Sequence, residues 1–364
     1  MKKARSGRPV CILYFHTKDV SFVRKDQEML RSRYELREMA FTATEKWKVP
    51  LLFLAQFWFL LKQIFEKKSF VVMVQFAGYH SFLPCLWARF TGLKSIVVAG
   101  GTDCVAYPSL AYGNFQNPLL ASFTRWTYQL CDVVSAVHET LFLRKDSYNG
   151  EAESEQGIFH FMPQAGFRKN VLFNGFDTQL FRIHSSLQER PERSFLSIAG
   201  SLTDPVRMQL KGIDMVLQLA AAMPDARFTL VGSNPKKEIQ IPDNVTLLPY
   251  VPNDQLPVIF NLHRFYLQLS LSEGFPNALC ESMACGCIPV VSAVASMPEI
   301  VSDFGGIATG RNLEAVEKAV ADAISKSKIP GFSETVAASI ENRYSWERRR
   351  QGLLKLIEET VAYI

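Results

Sequence analysis

The chain lacks most of the features that declare a protein class at once. It has no Asp-x-Asp pair to hold a divalent ion and no Cys-x-x-Cys. Its seven cysteines, at 11, 85, 104, 131, 280, 285 and 287, are odd in number, and the closest pair, Cys285 and Cys287, brackets a single glycine. Neither a disulfide framework nor a zinc site of ordinary spacing fits them, so they read as buried thiols in a reducing compartment such as the cytoplasm. No apolar run reaches the ~20 residues a bilayer-crossing helix needs. The apolar stretch Val10–Phe15 is too short for the hydrophobic region of a signal peptide. Internal repeats and low-complexity tracts are missing. Basic residues do not interleave with aromatics in a stripe, so nucleic acid is not an expected partner.

What remains describes a globular chain. With 364 residues, 48% of them apolar and 21% charged, it has material for two domains with a core each. A net charge of +5 is compatible with anionic substrates or an anionic membrane surface.

Strand-like and helix-like segments alternate along the first half. Strands are expected at 10–15, 35–41, 70–75, 95–99, 133–137 and 171–173, and helices at 21–33, 50–65, 83–91 and 121–130. The polar segment Ile183–Arg193, with Pro191, reads as a linker. The alternation then restarts, with strands at 194–199, 227–231, 245–248, 265–270 and 288–292. Helices are expected at 211–223, 254–262 and 278–285, then at 334–342 and 346–361. Strands separated by helices imply parallel sheets, hence an α/β protein of two doubly wound units. Arg348, Arg349 and Arg350 open the last helix and read as a solvated face.

The stretch Val49–Leu61 is the longest apolar run. Lysines 46, 48, 62, 67 and 68 flank it, and Phe53, Phe57, Trp58 and Phe59 lie within it. It reads either as a core helix or as one lying on a membrane surface.

The densest chemistry lies between Ser272 and Ser292. A strand ending at Leu271 delivers the loop Glu273-Gly-Phe-Pro-Asn277, and ligands of parallel sheets sit beyond strand carboxyl ends. Gly274 permits close backbone approach, and Asn277 is placed to cap a helix starting at Ala278. The free N–H groups of that helix start suit an anion. Glu281, expected in the first turn, joins Glu273 at the same mouth, and carboxylates accept hydrogen bonds from sugar hydroxyls.

Glu273 and Glu281, with Gly-Phe-Pro-Asn between them and Ala-x-Gly-x-x-Pro-Val-Val after, resemble the E-x7-E signature of family-4-type retaining glycosyltransferases, within glycosyl transferases group 1. Lys211-Gly212, Met297-Pro-Glu-Ile-Val301, Asn174-Gly-Phe-Asp177 with Phe181, and Tyr344-Ser-Trp346 resemble further family motifs in the right order. The resemblance covers the second half well and the first thinly. It implies the GT-B fold, two Rossmann-like domains facing across a cleft, with the C-terminal helix crossing back to the first. Residues 1–182 with 346–364 are then the acceptor domain, and 183–345 the donor domain.

The implied activity moves a sugar from a nucleoside diphosphate sugar to an acceptor hydroxyl, in cell-surface polysaccharide or glycolipid synthesis. The implied partners are the nucleotide sugar and a glycan or lipid-linked glycan, and the surface-lying reading of the helix at 50–65 adds a membrane surface. No metal or other cofactor is expected. By the family pattern Glu281 binds ribose and Glu273 lies by the transferred sugar. Gly274, Phe275, Pro276, Asn277, Ala278 and Leu279 contact sugar and phosphate, and Lys211 pairs with the diphosphate. The family's arginine in the loop after Gly200 is replaced by Ser201, so Arg207 is expected to supply that cation. Tyr250 and Val251 are expected at the base.

In the first domain, the loop after the first strand has no glycine pair, and His16 or Lys18 takes its place. Gly101 and Asp103 follow a later strand. Asp103 reads as a catalytic group facing the cleft or as a turn cap. His138 and Tyr112 complete the acceptor candidates. A nucleotide-sugar epimerase on the same scaffold, and a non-catalytic sugar-nucleotide-binding subunit of a glycan assembly complex, are the alternatives.

Overall fold

The computed structural model describes residues 10–17, 20–42, 46–66, 68–150, 154–184, 186–200, 202, 204–232 and 240–362. Two compact units emerge. The first comprises residues 1–143, 156–174 and 347–364, the second 144–155 and 175–346.

The first unit is built on a six-stranded sheet: β1 (Val10–His16), β2 (Glu35–Ala40), β3 (Ser69–Gln75), β4 (Lys94–Ala99), β5 (Val133–Ala136) and β6 (Arg168–Val171). Every pairing is parallel, in the order β2-β1-β3-β4-β5-β6. The central strands β1 and β3 are rich in Val, Ile, Leu and Phe and are buried throughout, as a sheet covered on both faces requires. Edge strand β2 is half exposed and charged: Glu35 and Arg37 pair with Lys68 and Glu66, which blunts the edge. Helices α1 (Ser21–Arg31), α2 (Val49–Lys62), α3 (Tyr79–Thr91) and α4 (Pro118–Leu130) connect the strands. The last strand falls at 168–171, earlier than the expected 171–173. It is an edge strand with only one apolar residue, which hides it from a hydrophobicity reading.

The second unit repeats the plan with β7 (Ser194–Ile198), β8 (Arg227–Val231), β9 (Val245–Leu248), β10 (Phe265–Gln268), β11 (Ile288–Ser292) and β12 (Gly306–Ala308). The order is β9-β8-β7-β10-β11-β12, again all parallel. Its helices are α5 (Pro205–Leu210), α6 (Ile213–Ala222), α7 (Leu256–Phe260), α8 (Asn277–Ala284), α9 (Met297–Val301), α10 (Leu313–Lys326) and α11 (Phe332–Tyr344).

The segment 183–193 is not a linker. Arg190 is buried there, and its guanidinium donates to the carbonyls of His263 (3.1 Å) and Cys285 (2.8 Å) and to Asn261 Oδ1 (3.0 Å). These bonds fix the segment into the second unit, and the division falls at 174/175 where 182/183 is expected. The second unit also takes 144–155, held by Asp146 Oδ1 accepting from the Ala295 N–H at 3.1 Å.

The terminal helix α12 (Trp346–Val361) belongs, from Glu347 on, to the first unit. Arg349 is not on a solvated face. It is buried and grips Asp26 through Nε (2.8 Å) and Nη2 (2.6 Å), while Nη1 donates to the carbonyls of Leu172 and Phe173. Gln75 Nε2 adds a bond to Asp26 Oδ2 at 3.0 Å. All seven cysteines are free and buried.

Candidate functional site

Strand order fixes where a ligand sits in the second unit. From β7 the sheet grows one way through β8 and β9, and from β10 the other way through β11 and β12. The loops after β7 and β10 therefore part at their carboxyl ends, which is the topological switch point where ligands of such sheets bind.

The path from β7 passes through α5 to Lys211 and Gly212. Gly212 has φ of +68°, and a Cβ on it would stand 2.0 Å from the Leu269 carbonyl oxygen, just past β10. Only glycine lets the two segments approach this closely. The Leu271 N–H seals the contact by donating to the Leu210 carbonyl at 2.8 Å. Lys211 Nζ consequently lies 2.6 Å from Glu273 Oε1.

That same oxygen accepts from Ser270 Oγ (2.8 Å) and Gln268 Nε2 (2.9 Å). Three donors converge on Oε1, and Oε2 takes none of them. A carboxylate held at one oxygen keeps the other aimed, ready for a hydroxyl donor. Gln268 is oriented in turn by the Tyr266 hydroxyl, which donates to its Oε1 at 3.0 Å. Burial, and then the charges of Glu273 and Glu281, push the Tyr266 phenol well above its ordinary range, so it stays a donor. One phenol thus senses both carboxylates.

Glu281 is buried in α8 and accepts from Asn253 Nδ2 at 3.0 Å. This bond brings the loop after β9, with Tyr250 and Val251, to α8. Tyr250 is 72% exposed there. Helix α8 begins at Asn277 itself, after Pro276, and no side chain caps it. The capping role expected of Asn277 is therefore not seen: Pro276, at φ −77°, already sets the direction of the first turn. Glu281 lies beyond that first turn, which holds Asn277, Ala278 and Leu279. Phe275 points inward, stacked on Phe176 (6.1 Å between ring centres) and edge-on to Tyr344 (5.2 Å), which anchors the loop and leaves Gly274 at its bend.

One expected residue does not join this cluster. Arg207 lies on α5 with its side chain 68% exposed, and its nearest acid is Asp204 at 3.6 Å. Ser201 lies outside the described residues, as does Lys18.

The first unit has a switch point of its own, between β1 and β3. A cavity of about 500 Å³ opens there, lined by Thr17, Thr42, Phe76, His80, Asp103 and Asn114 among others. Of the expected residues that the structure describes, only Asp103 lines it, and its predicted catalytic role gives way to a structural one. Oδ1 accepts from the N–H groups of Gly100 (3.1 Å) and Gly101 (3.0 Å), and Oδ2 from the Ala77 N–H (3.0 Å) and the Tyr128 hydroxyl (2.9 Å). Both oxygens are spent on tying together the loops after β3 and β4. Gly100 is needed for a different neighbour than a substrate: a Cβ there would stand 1.6 Å from the ring of Phe76, itself at φ +65°.

His138 caps a short 3-10 turn, with Nδ1 accepting from the Thr140 N–H at 3.3 Å, and packs on Phe173. Tyr112 bridges Tyr107, and its hydroxyl meets Thr102 Oγ1 at 3.1 Å. His16 is buried at the end of β1. His80 was not anticipated. Its Nε2 lies 2.7 Å from the Gln75 carbonyl, and burial pushes its pKa down to about 4, so the ring is neutral.

Residues 206–345, which carry the Lys211–Glu273 pair and α8, match the family model described as glycosyl transferases group 1. Over this stretch the chain is similar to the group 1 glycosyltransferases. Among similar proteins, the O-antigen chain mannosyltransferase B of Escherichia coli is 28% identical over 103 residues, covering 28% of this chain and 27% of that one. The D-inositol 3-phosphate glycosyltransferase of Mycobacterium ulcerans (strain Agy99) is 26% identical over 228 residues, covering 56% and 47%. The chain thus spans less than half the length of these curated relatives.

In fold, the chain is similar to the sucrose-phosphate synthase of Thermosynechococcus elongatus, with a TM-score of 0.73, 13% identity and 98% and 100% of the two chains covered. It is also similar to Anabaena HepE in complex with UDP-glucose, with a TM-score of 0.66, 13% identity and 96% and 99% covered. The fold of this chain is GT-B, with two Rossmann-like parallel-sheet domains. Among the described residues no group of His, Cys, Asp and Glu side chains could hold a metal, and no helix is long and apolar enough to cross a membrane.

Proposed function

We propose that the protein is a retaining glycosyltransferase that moves a sugar from a nucleoside diphosphate sugar to an acceptor hydroxyl. The observation that carries this reading is the meeting of Lys211 and Glu273 at the β7/β10 switch point, beside the start of α8 and Glu281. A nucleotide sugar presents the chemistry that such a site complements: ribose and sugar hydroxyls for the two carboxylates, and a diphosphate for a cation and a helix N-terminus.

In the proposed reaction the bond between the sugar's anomeric carbon and the diphosphate oxygen breaks, and its electron pair leaves with the phosphate. Lys211 moves from Glu273 to the phosphate and, with the N–H groups opening α8, stabilises the charge that develops there. The acceptor oxygen bonds to the anomeric carbon on the face the phosphate vacates, and its proton goes to the departing phosphate. The configuration is thereby retained. Glu281 holds the ribose, and Glu273 Oε2 holds a hydroxyl of the transferred sugar. The scheme places its positive charge on the protein and calls for no metal. The first unit's cavity, mainly apolar and edged by the hydroxyls of Thr17, Thr42 and Thr102, is the proposed seat of the acceptor. A glycan or lipid-linked glycan fits that reading, and cell-surface polysaccharide synthesis is the proposed setting, in line with the O-antigen transferase among the relatives.

The test is transfer from a panel of nucleoside diphosphate sugars to glycan acceptors, read by product mass and anomeric NMR. Glu273→Gln is expected to lower turnover by 10²-fold or more, on the scale of losing one preorganised contact to the reacting sugar. Unchanged turnover in that variant, or inverted product, overturns the mechanism.

A further inference from the structure

One face of the first unit is unlike the rest of the chain. The crossovers β2→β3, β3→β4 and β4→β5 place α2, α3 and α4 in one layer, with α3 packed against both neighbours. These three helices contain no Asp or Glu, in a chain with 35 acidic residues among 364. Their only charged residues are Lys62, Arg89 and Arg125, and Lys48 precedes α2.

The outward stripe of α2 is apolar where a water-facing helix is polar. Leu51, Leu54 and Trp58, spaced three and four residues apart, are all more than half exposed, and on this helix only Gln56 and Leu60 are buried. Gln56 faces inward because its amide donates to the His80 carbonyl at 2.8 Å, so the internal polar residue does not interrupt the outer stripe. Phe90, 81% exposed at the end of α3, and Trp126 on α4 are further exposed aromatics of the same layer. Lys48 stands over the Trp47 ring at 5.3 Å, a cation beside an exposed aromatic. Exposed aromatics on helices that carry cations and no acid match the boundary of an anionic bilayer, where the rings enter the headgroup layer and the cations meet lipid phosphates.

We propose that this layer docks on an anionic lipid surface, with α2 lying in the plane of the interface. The length of α2 fits a helix that lies on a bilayer and does not cross it. This face shares no feature with the Lys211–Glu273 site, and its docking stands apart from the transferase reading.

The test is co-sedimentation of the full chain with phosphatidylglycerol–phosphatidylcholine vesicles and with phosphatidylcholine alone, at low and high salt. Tryptophan emission and oligomeric state are read alongside. Binding is expected on the anionic vesicles, weakened by salt and accompanied by a blue shift. Leu54→Glu with Trp58→Glu should weaken it tenfold or more. Lys48→Glu and Lys62→Glu should weaken it about fivefold each. All these positions are at the surface, and an unchanged melting temperature checks that the fold survives. Three results overturn the proposal: no binding to anionic vesicles, equal binding by the Leu54→Glu/Trp58→Glu variant, or a dimer that this variant turns into a monomer while vesicles go unbound. The last result assigns the face to a second copy of the chain. A thermal shift with nucleoside diphosphates, run on the same samples, reports separately on the donor site.

Discussion

Gly212 offers the sharpest mechanical test of how the donor site is assembled. Replacing it by alanine puts a Cβ at φ +68°, 2.0 Å from the Leu269 carbonyl oxygen and 2.4 Å from its carbon. The left-handed backbone alone costs an L-residue ~1–2 kcal/mol, offset by ~0.4–1 kcal/mol from a stiffer unfolded chain. The overlap is with backbone just past a buried strand, so it is relieved only by pushing the turn away, at a further ~1–3 kcal/mol typical of overpacking. The expected net loss is ~2–4 kcal/mol. Gly92→Ala supplies the control, since Gly92 has φ of +71° but a Cβ there meets nothing within 4 Å. It carries the conformational term without the clash and should cost ~1 kcal/mol or less. Urea unfolding at matched slope compares the two. Displacing the turn also moves Lys211, so Gly212→Ala should weaken nucleoside diphosphate binding while Gly92→Ala leaves it unchanged. If the two variants lose equal stability, the close approach of the turn to β10 is not what Gly212 provides.

Other outcomes follow from the first unit. Arg349→Met should destabilise by ~3–5 kcal/mol, because it strands the buried Asp26 carboxylate. Adding Asp26→Asn to that variant should recover part of the loss in urea melts. His80 makes stability depend on acid. Its folded pKa of about 4 lies below the ordinary 6.5, so the unfolded chain binds the extra proton between those values. Its contribution is intact above pH 6.5, falls as the pH drops toward 4, and amounts to ~2 kcal/mol lost by pH 5. His263, also depressed by burial, acts in the same direction. His80→Gln should flatten the decline between pH 7 and 5.

Where burial and polarity agreed, the sequence read well. The strands β1, β3, β8, β9 and β11 are apolar runs with turn residues around them, and they lie within a residue or two of their expected places. The misses have local causes. Helix α3 was expected from 83, with Pro84 near its start. It begins at Tyr79 with Pro84 inside, because Ser81 Oγ ties back the Gly78 N–H and starts the helix earlier. The segment 183–193 is polar in composition, yet Arg190 finds carbonyls to satisfy it in the core, and polarity alone does not distinguish a linker from a buried anchor. The same holds for Arg349. Helix α10, amphipathic and capped at its start by Asn312, is equally legible yet falls outside the expected helices.

At the site, the motif residues Glu273, Glu281 and Lys211 were found, and the residues that hold two of them were not. Gln268 and Ser270 belong to no motif. Their signal was polarity inside an otherwise buried strand end, where a side-chain amide and a hydroxyl need a partner. Asp103 was read from a Gly-Gly-x-Asp pattern that fits two roles, and only the count of donors on its oxygens separates them. The cavity beside it is lined from segments far apart in the chain, so no local pattern announces it.

Titration calorimetry of nucleoside diphosphates against the matching monophosphates bears most directly on the donor site. The proposed role of Lys211 requires the wild-type protein to favour the diphosphate by about tenfold or more, as for a charge-assisted contact. Lys211→Ala should erase that preference, while Glu281→Ala should weaken both ligands alike. A preference that survives Lys211→Ala, or no binding of any nucleoside diphosphate, contradicts the account.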